Sequence, residues 1–248
     1  MAALFQRNNI ENTPACTGQV FLIDPEKNWQ DMKGDILIIE AHHRRAARKI
    51  SGEVITRIRE INRRYILTVA GESGSGKSET AQALAEEFEK FGLTTVVLGQ
   101  DDYFKLPPAA NDRRRRQDPE WLGPHVEVHL DLLEEHLLAA RKGAQSIVKP
   151  LIDYHAGTVE QETIPLVDVD IVIAEGTYTS LLKHVDTRVF IARTRVDTLE
   201  HRRKRNRGNE VDDPFIEQVL RTEHKIIAGH KQLADFVITK EYDVLTIE

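Results

Sequence analysis

"YILTVAGESGSGKSETAQALAEEF", residues 65–88, joins two patterns that belong to different secondary structures. Its first six residues, Tyr65 to Ala70, form a short apolar, β-branched run of the kind buried on both faces of a parallel sheet. Its second half places Ala81, Leu84 and Ala85, with Phe88 and then Phe91, at helical spacing, and Gly92 stands where a C-terminal cap belongs. Between strand and helix, Gly71, Gly74 and Gly76 permit the positive φ angles and close backbone approach of a tight turn. The spacing from Gly71 to Gly76-Lys77-Ser78 fits G-x-x-x-x-G-K-S/T in full. Backbone N–H groups and the helix N-terminus then form an anion site, Lys77 reaches β- and γ-phosphates, and the Ser78 hydroxyl suits Mg²⁺. The candidate nucleotide-binding set is Gly71, Ser73, Gly74, Ser75, Gly76, Lys77, Ser78, Glu79 and Thr80, and the implied ligand is a nucleoside triphosphate with Mg²⁺.

The chain has 248 residues, 40% hydrophobic and 30% charged, which suits one α/β domain with an appendage. A formal net charge of −6 argues against a general nucleic-acid binder. The single cysteine, Cys16, has no disulfide partner, the N-terminus does not resemble a signal peptide, and no apolar run reaches the length of a membrane span. The expected compartment is the cytoplasm, with no membrane partner.

Outward from the P-loop, strands and helices alternate. "TTVVLG" (94–99), "VDIVIA" (169–174), "RVFIA" (188–192) and "DFVIT" (235–239) read as further strands, and residues 127–141 as a helix carried by Leu130, Leu133, Leu137 and Ala140 and stopped by Gly143. The pattern predicts a doubly wound parallel sheet of about five strands with flanking helices. Upstream, "TGQVFLID" reads as a short strand, and residues 38–64 as a basic helix with Ile50, Val54, Ile58 and Ile61 on one face and Gly52 as a weak point. "HHRRAARK" reads most simply as a solvated face, with His42 and His43 at the surface; a phosphate or nucleic-acid patch is the alternative.

Ligands in such sheets sit beyond the carboxyl ends of the strands. After the second strand come Asp101 and Asp102, a cap for the next segment or a base for an acceptor hydroxyl. After "DIVIA" comes Glu175, a hard oxygen ligand suited to Mg²⁺ beside a P-loop; Ser78, Glu175 and Asp101 make the candidate metal set. After "RVFIA" the chain turns very basic in "EHRRKRNRG", residues 200–208, whose arginines can close over phosphates.

"GESGSGKSETA", "LGQDDYF", "IAEGTY", the arginine-rich segment, "EQVL" and "LADFVI" follow the order of the uridine kinase and phosphoribulokinase family, which the chain resembles over roughly residues 63–240. The resemblance implies a kinase domain over 63–248 behind an extension at 1–62, with Asp101 as general base, Lys77 on the phosphates, and Arg202, Arg205 and Arg207 in a basic lid. The family's acceptor segment, P-x-Y-D-F followed by histidine and arginine, is only partly present. Pro150 and Asp153 match, whereas Ile152, Gly157 and Val159 replace the tyrosine, histidine and arginine, and Thr222 stands where a glutamine is expected. Tyr103, Arg114, Arg115, Asp153, Tyr154 and Tyr178 are the candidate acceptor contacts.

These residues predict transfer of phosphate from ATP to a hydroxyl of a small molecule by a homo-oligomeric enzyme. A pyrimidine nucleoside is first choice and a sugar or pentose phosphate second. The run Arg113 to Arg116 reads as a solvated loop balanced by Asp112, Asp118 and Glu120, or as a binder of a phosphorylated acceptor. A non-catalytic ATP-binding regulator would have no use for Asp101. A GTPase lacks its N-K-x-D string here, and the ten histidines show no paired metal spacing.

Overall fold

The structure, a computed structural model, describes residues 37–153, 156–199 and 213–247. Strand β1 (Tyr65–Gly71) is buried along its whole length, and its side chains alternate between two cores. Tyr65, Leu67 and Val69 point to one face, where helices α1 (Ala41–Glu60) and α2 (Lys77–Lys90) lie. Ile66 and Ala70 point to the other, where α4 (Leu130–Arg141) lies. Strand β5 (Ile171–Gly176) repeats the division, with Ile171 and Ile173 on the first face and Val172 and Ala174 on the second. Period-2 side chains between two helical layers are what a fully apolar strand requires, each buried Leu or Ile contributing roughly 1.5–3 kcal/mol.

With β2 (Thr95–Gly99), β6 (Thr187–Ile191), β7 (Phe236–Ile238) and β8 (Val244–Thr246), these strands form one six-stranded sheet in the order β2-β5-β1-β6-β7-β8. Every pairing is parallel except β7 with β8. The sheet therefore has one strand more than expected, a short antiparallel edge. The chain leaves β1 toward β2 and later returns to β6 on β1's other side, so β1 lies at the topological switch point.

A separate hairpin pairs β3 (Ser146–Asp153) with β4 (Thr158–Pro165) in antiparallel register. The helix expected over 127–141 begins at Leu130, because residues up to His129 form a turn whose Val128 bridges Phe104. The run Arg113 to Arg116, read as a solvated loop, lies in helix α3 (Pro108–Gln117), with prolines at its start.

Helix α1 runs through Gly52 without a break and buries Ala46, Ala47, Ile50, Val54 and Ile58 in the same core as β1 and α2. Its basic residues are partly used within the fold: Arg44 pairs with Glu86 of α2, and Lys49 Nζ donates to Val244 O at 2.7 Å. His43, expected at the surface, is completely buried. Its imidazole is satisfied on both sides, by the Glu40 N–H at Nδ1 and by the Tyr242 hydroxyl at Nε2. The strand expected in "TGQVFLID" lies outside the described residues. No helix among the described residues is long and apolar enough to cross a membrane.

Candidate active site

Between β1 and α2 the chain turns through Gly74 at φ 74° and Gly76 at φ 95°. Gly76 is required twice over, since a Cβ there would also sit 2.7 Å from the Tyr242 hydroxyl and 2.8 Å from His43 Nε2. Those two side chains brace the turn from behind. Tyr242 donates to the Ser75 carbonyl at 3.2 Å, and Arg193 donates to the tyrosine oxygen at 2.6 Å. The N-cap of α2 is Gly76, which has no side chain with which to cap the first turn. The Ser75 and Thr80 hydroxyls are buried without a hydrogen-bond partner among the described residues, and orphaned donors here fit a phosphate chain. Lys77 Nζ folds back over the turn and donates to Glu72 O at 3.1 Å.

The Glu72 carboxylate, buried and not foreseen, ties this turn to the neighbouring strand end. It accepts from Arg195 N at 2.6 Å and pairs with His224 Nδ1 at 2.6 Å. His224 thus has a partner in the P-loop.

At the end of β5, Glu175 Oε1 accepts from Ser78 Oγ at 3.1 Å. This joins two of the three proposed metal ligands. Glu175 is also the register partner of Gly99, which places Asp101 two residues beyond the same strand end. Gly176, at φ 156°, leaves room for Gln100, since a Cβ there would lie 2.2 Å from that side chain's own Cβ. Gln100 Oε1 in turn accepts from Tyr178 N at 2.7 Å, so the ends of β2 and β5 are locked together. One carboxylate beside a P-loop serine matches how Mg²⁺ is held with nucleotide phosphates.

On the acceptor side the arginine run resolves residue by residue. Arg113 is exposed. Arg114 pairs with Asp118 at 3.0 Å, and Arg116 with Asp112 at 2.9 Å and Asp213 at 2.5 Å. Arg115 points inward, donating to Glu127 Oε2 at 2.7 Å and standing 3.8 Å from Glu223 Oε1. Glu127, completely buried, also accepts from Asn111 Nδ2 and Gly123 N. Burial pushes the Glu223 carboxyl up to about 7, with the Arg115 charge opposing and Glu127 adding to the rise. The next residue, His224, is bonded to Glu72, so Glu223 lies one residue from a contact with the P-loop turn. An open pocket between α3 and α5 (Pro214–Ile227) is lined by Arg115, Leu122, Phe215, Gln218, Val219 and Thr222.

The remaining candidates lie elsewhere. Tyr103 is completely buried and its hydroxyl meets His136 Nδ1 at 2.8 Å, so it is a core residue rather than an acceptor contact. Tyr178 is also buried, and only its hydroxyl looks toward Glu127, at 3.5 Å. Asp153 caps the hairpin tip, accepting from Ala156 N at 2.8 Å. Ile152, in place of the family's tyrosine, is completely buried. Tyr154, Arg202, Arg205 and Arg207 lie outside the described residues.

The fold and this arrangement define a P-loop phosphotransferase. Residues 66–246 match the Phosphoribulokinase / Uridine kinase family, and the chain belongs to it. It is 30% identical over 193 residues to the uridine kinase of Bacillus thuringiensis, covering 71% of this chain and 86% of that one. It is 28% identical over 192 residues to the bifunctional alpha-galactosidase/sucrose kinase of Mediterraneibacter gnavus, where the match takes in 73% of this chain but 20% of that enzyme's length. Among solved structures, D-glycerate 3-kinase from Cryptococcus neoformans superimposes with a TM-score of 0.57 at 15% identity, over 81% of this chain and 99% of that one. The chain is a small-molecule kinase, and its family implies the use of ATP.

Proposed function

We propose that this protein transfers the γ-phosphate of ATP to a hydroxyl of an uncharged, hydroxyl-rich acceptor, a sugar before a nucleoside. The observation that carries the reading is the engagement of Arg115. The inward-pointing guanidinium of the run is held by Glu127 and Glu223, and Arg114 and Arg116 face carboxylates of the chain itself. A phosphorylated acceptor would have to displace these partners and approach two buried carboxylates. A neutral hydroxyl compound meets no such repulsion and supplies donors to carboxylate oxygens. Burial of Ile152 removes a ring that could stack on a base, which favours a sugar. The nucleoside reading keeps the support of the Bacillus uridine kinase, whose length the match nearly spans.

In this mechanism the P-loop turn holds the triphosphate and Lys77 neutralises its β- and γ-oxygens. Asp101 takes the acceptor's hydroxyl proton as the new O–P bond forms and the bond from γ-phosphorus to the β-phosphate oxygen breaks, releasing ADP. Ser78 and Glu175 would hold Mg²⁺, which supplies charge neutralisation on the phosphates. By the family resemblance, Arg202, Arg205 and Arg207 would act on the same phosphates as lid arginines.

A coupled ADP-release assay with ATP and glucose, sucrose, uridine or ribose 5-phosphate tests the reading. Turnover of a neutral member is expected. Turnover of ribose 5-phosphate alone would contradict it.

A further inference from the structure

Helix α5 buries a stripe at Val219, Leu220, Glu223 and Ile227, in which a carboxylate occupies an apolar position. Glu223 is 7% exposed. Its Oε1 stands 3.8 Å from Arg115, whereas its Oε2 is buried with no hydrogen-bond partner among the described residues. A buried carboxylate oxygen without a donor is rare, because it has given up water and received nothing in return. Beside it stand Arg115 of α3, which is bonded to Glu127 before α4, and through Glu127 the hydroxyl of Tyr178 after β5. The next residue of α5, His224, pairs with Glu72 of the P-loop turn, and the Tyr178 N–H is bonded to Gln100, the neighbour of the candidate base Asp101. The missing donor thus belongs where an acceptor would lie, with its reacting hydroxyl at Asp101.

We infer that Glu223 is a specificity-determining residue for the acceptor: its Oε2 receives a hydrogen bond from a second hydroxyl of the neutral acceptor, one that is not phosphorylated. The inference rests on the kinase reading above and narrows its substrate class to compounds with at least two hydroxyls in reach of each other. Arg115 faces one carboxylate oxygen at 3.8 Å, and the other is left to the ligand. Arg115 is already engaged by Glu127 and Glu223, and Lys77 is reserved for the ATP phosphates, so the carboxylates of this subsite disfavour an anionic acceptor.

The test compares wild type with Glu223→Gln, which keeps the shape and removes the charge. Loss of a hydrogen bond to a charged group is worth about ten- to a hundredfold. The KM for the neutral acceptor selected from glucose, sucrose and uridine should rise by about that factor, with the KM for ATP unchanged. In wild type the acceptor KM should fall as pH rises through about 7, where the Glu223 carboxyl ionises, and the Gln variant should lack that step. An unchanged acceptor KM in Glu223→Gln overturns the role of Glu223 alone. Turnover of ribose 5-phosphate alone overturns the acceptor reading beneath it. Should the variant not fold, wild type is assayed with each monodeoxy analogue of the acceptor. At least one analogue lacking a non-reacting hydroxyl should lose about tenfold or more in kcat/KM, since sites built to bond a hydroxyl reject compounds without it. Equal turnover of all such analogues overturns the inference.

Discussion

The hairpin is attached to the base-bearing turn by an ion pair, and its removal should be among the most damaging single changes. Lys149 and Asp102 are each 1% exposed at the side chain, with Nζ 2.6 Å from Asp102 Oδ2 and 3.1 Å from Glu162 Oε2. The other Asp102 oxygen accepts from Ile152 N at 3.1 Å. Lys149→Met keeps most of the side-chain volume but strands two carboxylates, one in the interior. Breaking a buried pair by removing one partner costs about 3–5 kcal/mol. At this chain length, each kcal/mol corresponds to about 2–4 °C in Tm, giving a fall of about 6–20 °C at neutral pH. The sign with pH follows from Asp102. Burial already raises its pKa above 3.8, against the lowering effect of the Lys149 charge, and losing that charge raises it further. A carboxyl whose folded pKa exceeds its unfolded one destabilises the fold as pH rises through the folded value. The deficit of Lys149→Met should therefore shrink as pH falls toward the acid range and grow as pH rises, in thermal melts at about pH 5 and about pH 8. Asp102→Asn combined with Lys149→Met should recover part of the loss. Equal melting temperatures for wild type and Lys149→Met at neutral pH, or a deficit that is larger in acid, would refute the reasoning.

Two further outcomes are expected. Asp101→Asn should lower kcat by about 10²- to 10⁴-fold, the usual range for a general base, with the KM for ATP near that of wild type in the coupled assay. Asp186 receives both Arg63 nitrogens, at 2.7 and 2.8 Å, and the Ile66 N–H at 2.9 Å; burial raises its pKa, but these bonds outweigh it and the net shift is downward. Its stabilisation is present above 3.8 and is lost as pH falls through the lower folded value, so Asp186→Asn should lower Tm at neutral pH and flatten the acid limb of a Tm–pH curve.

The parallel strands were legible in the sequence because burial on both faces leaves an unbroken apolar run, and the P-loop because its spacing has a backbone reason. Asp101 and Glu175 followed from the rule about strand ends. The hairpin was not legible: β4, "TVEQETIP", is mostly exposed, so no buried face imprints a period on it. Helix α3 was hidden for the same reason, being polar around its circumference with only Asn111 buried. His43 was misplaced because one-dimensional context makes a histidine among arginines look solvated, whereas Tyr242 meets it from 199 residues away. Glu72 and Glu127 carry no pattern that separates them from surface carboxylates. Glu223 did leave a signal, a charge on the apolar stripe of α5, between Leu220 and Ile227.

Phosphate transfer from ATP at this P-loop is tested most directly by Lys77→Ala. ATP radiolabelled at the γ-phosphate is incubated with wild type or Lys77→Ala and a neutral acceptor, and the labelled acceptor is measured beside far-ultraviolet circular dichroism. Label is expected on the acceptor with wild type and almost none with the folded variant. Equal transfer by folded Lys77→Ala would contradict transfer at this P-loop.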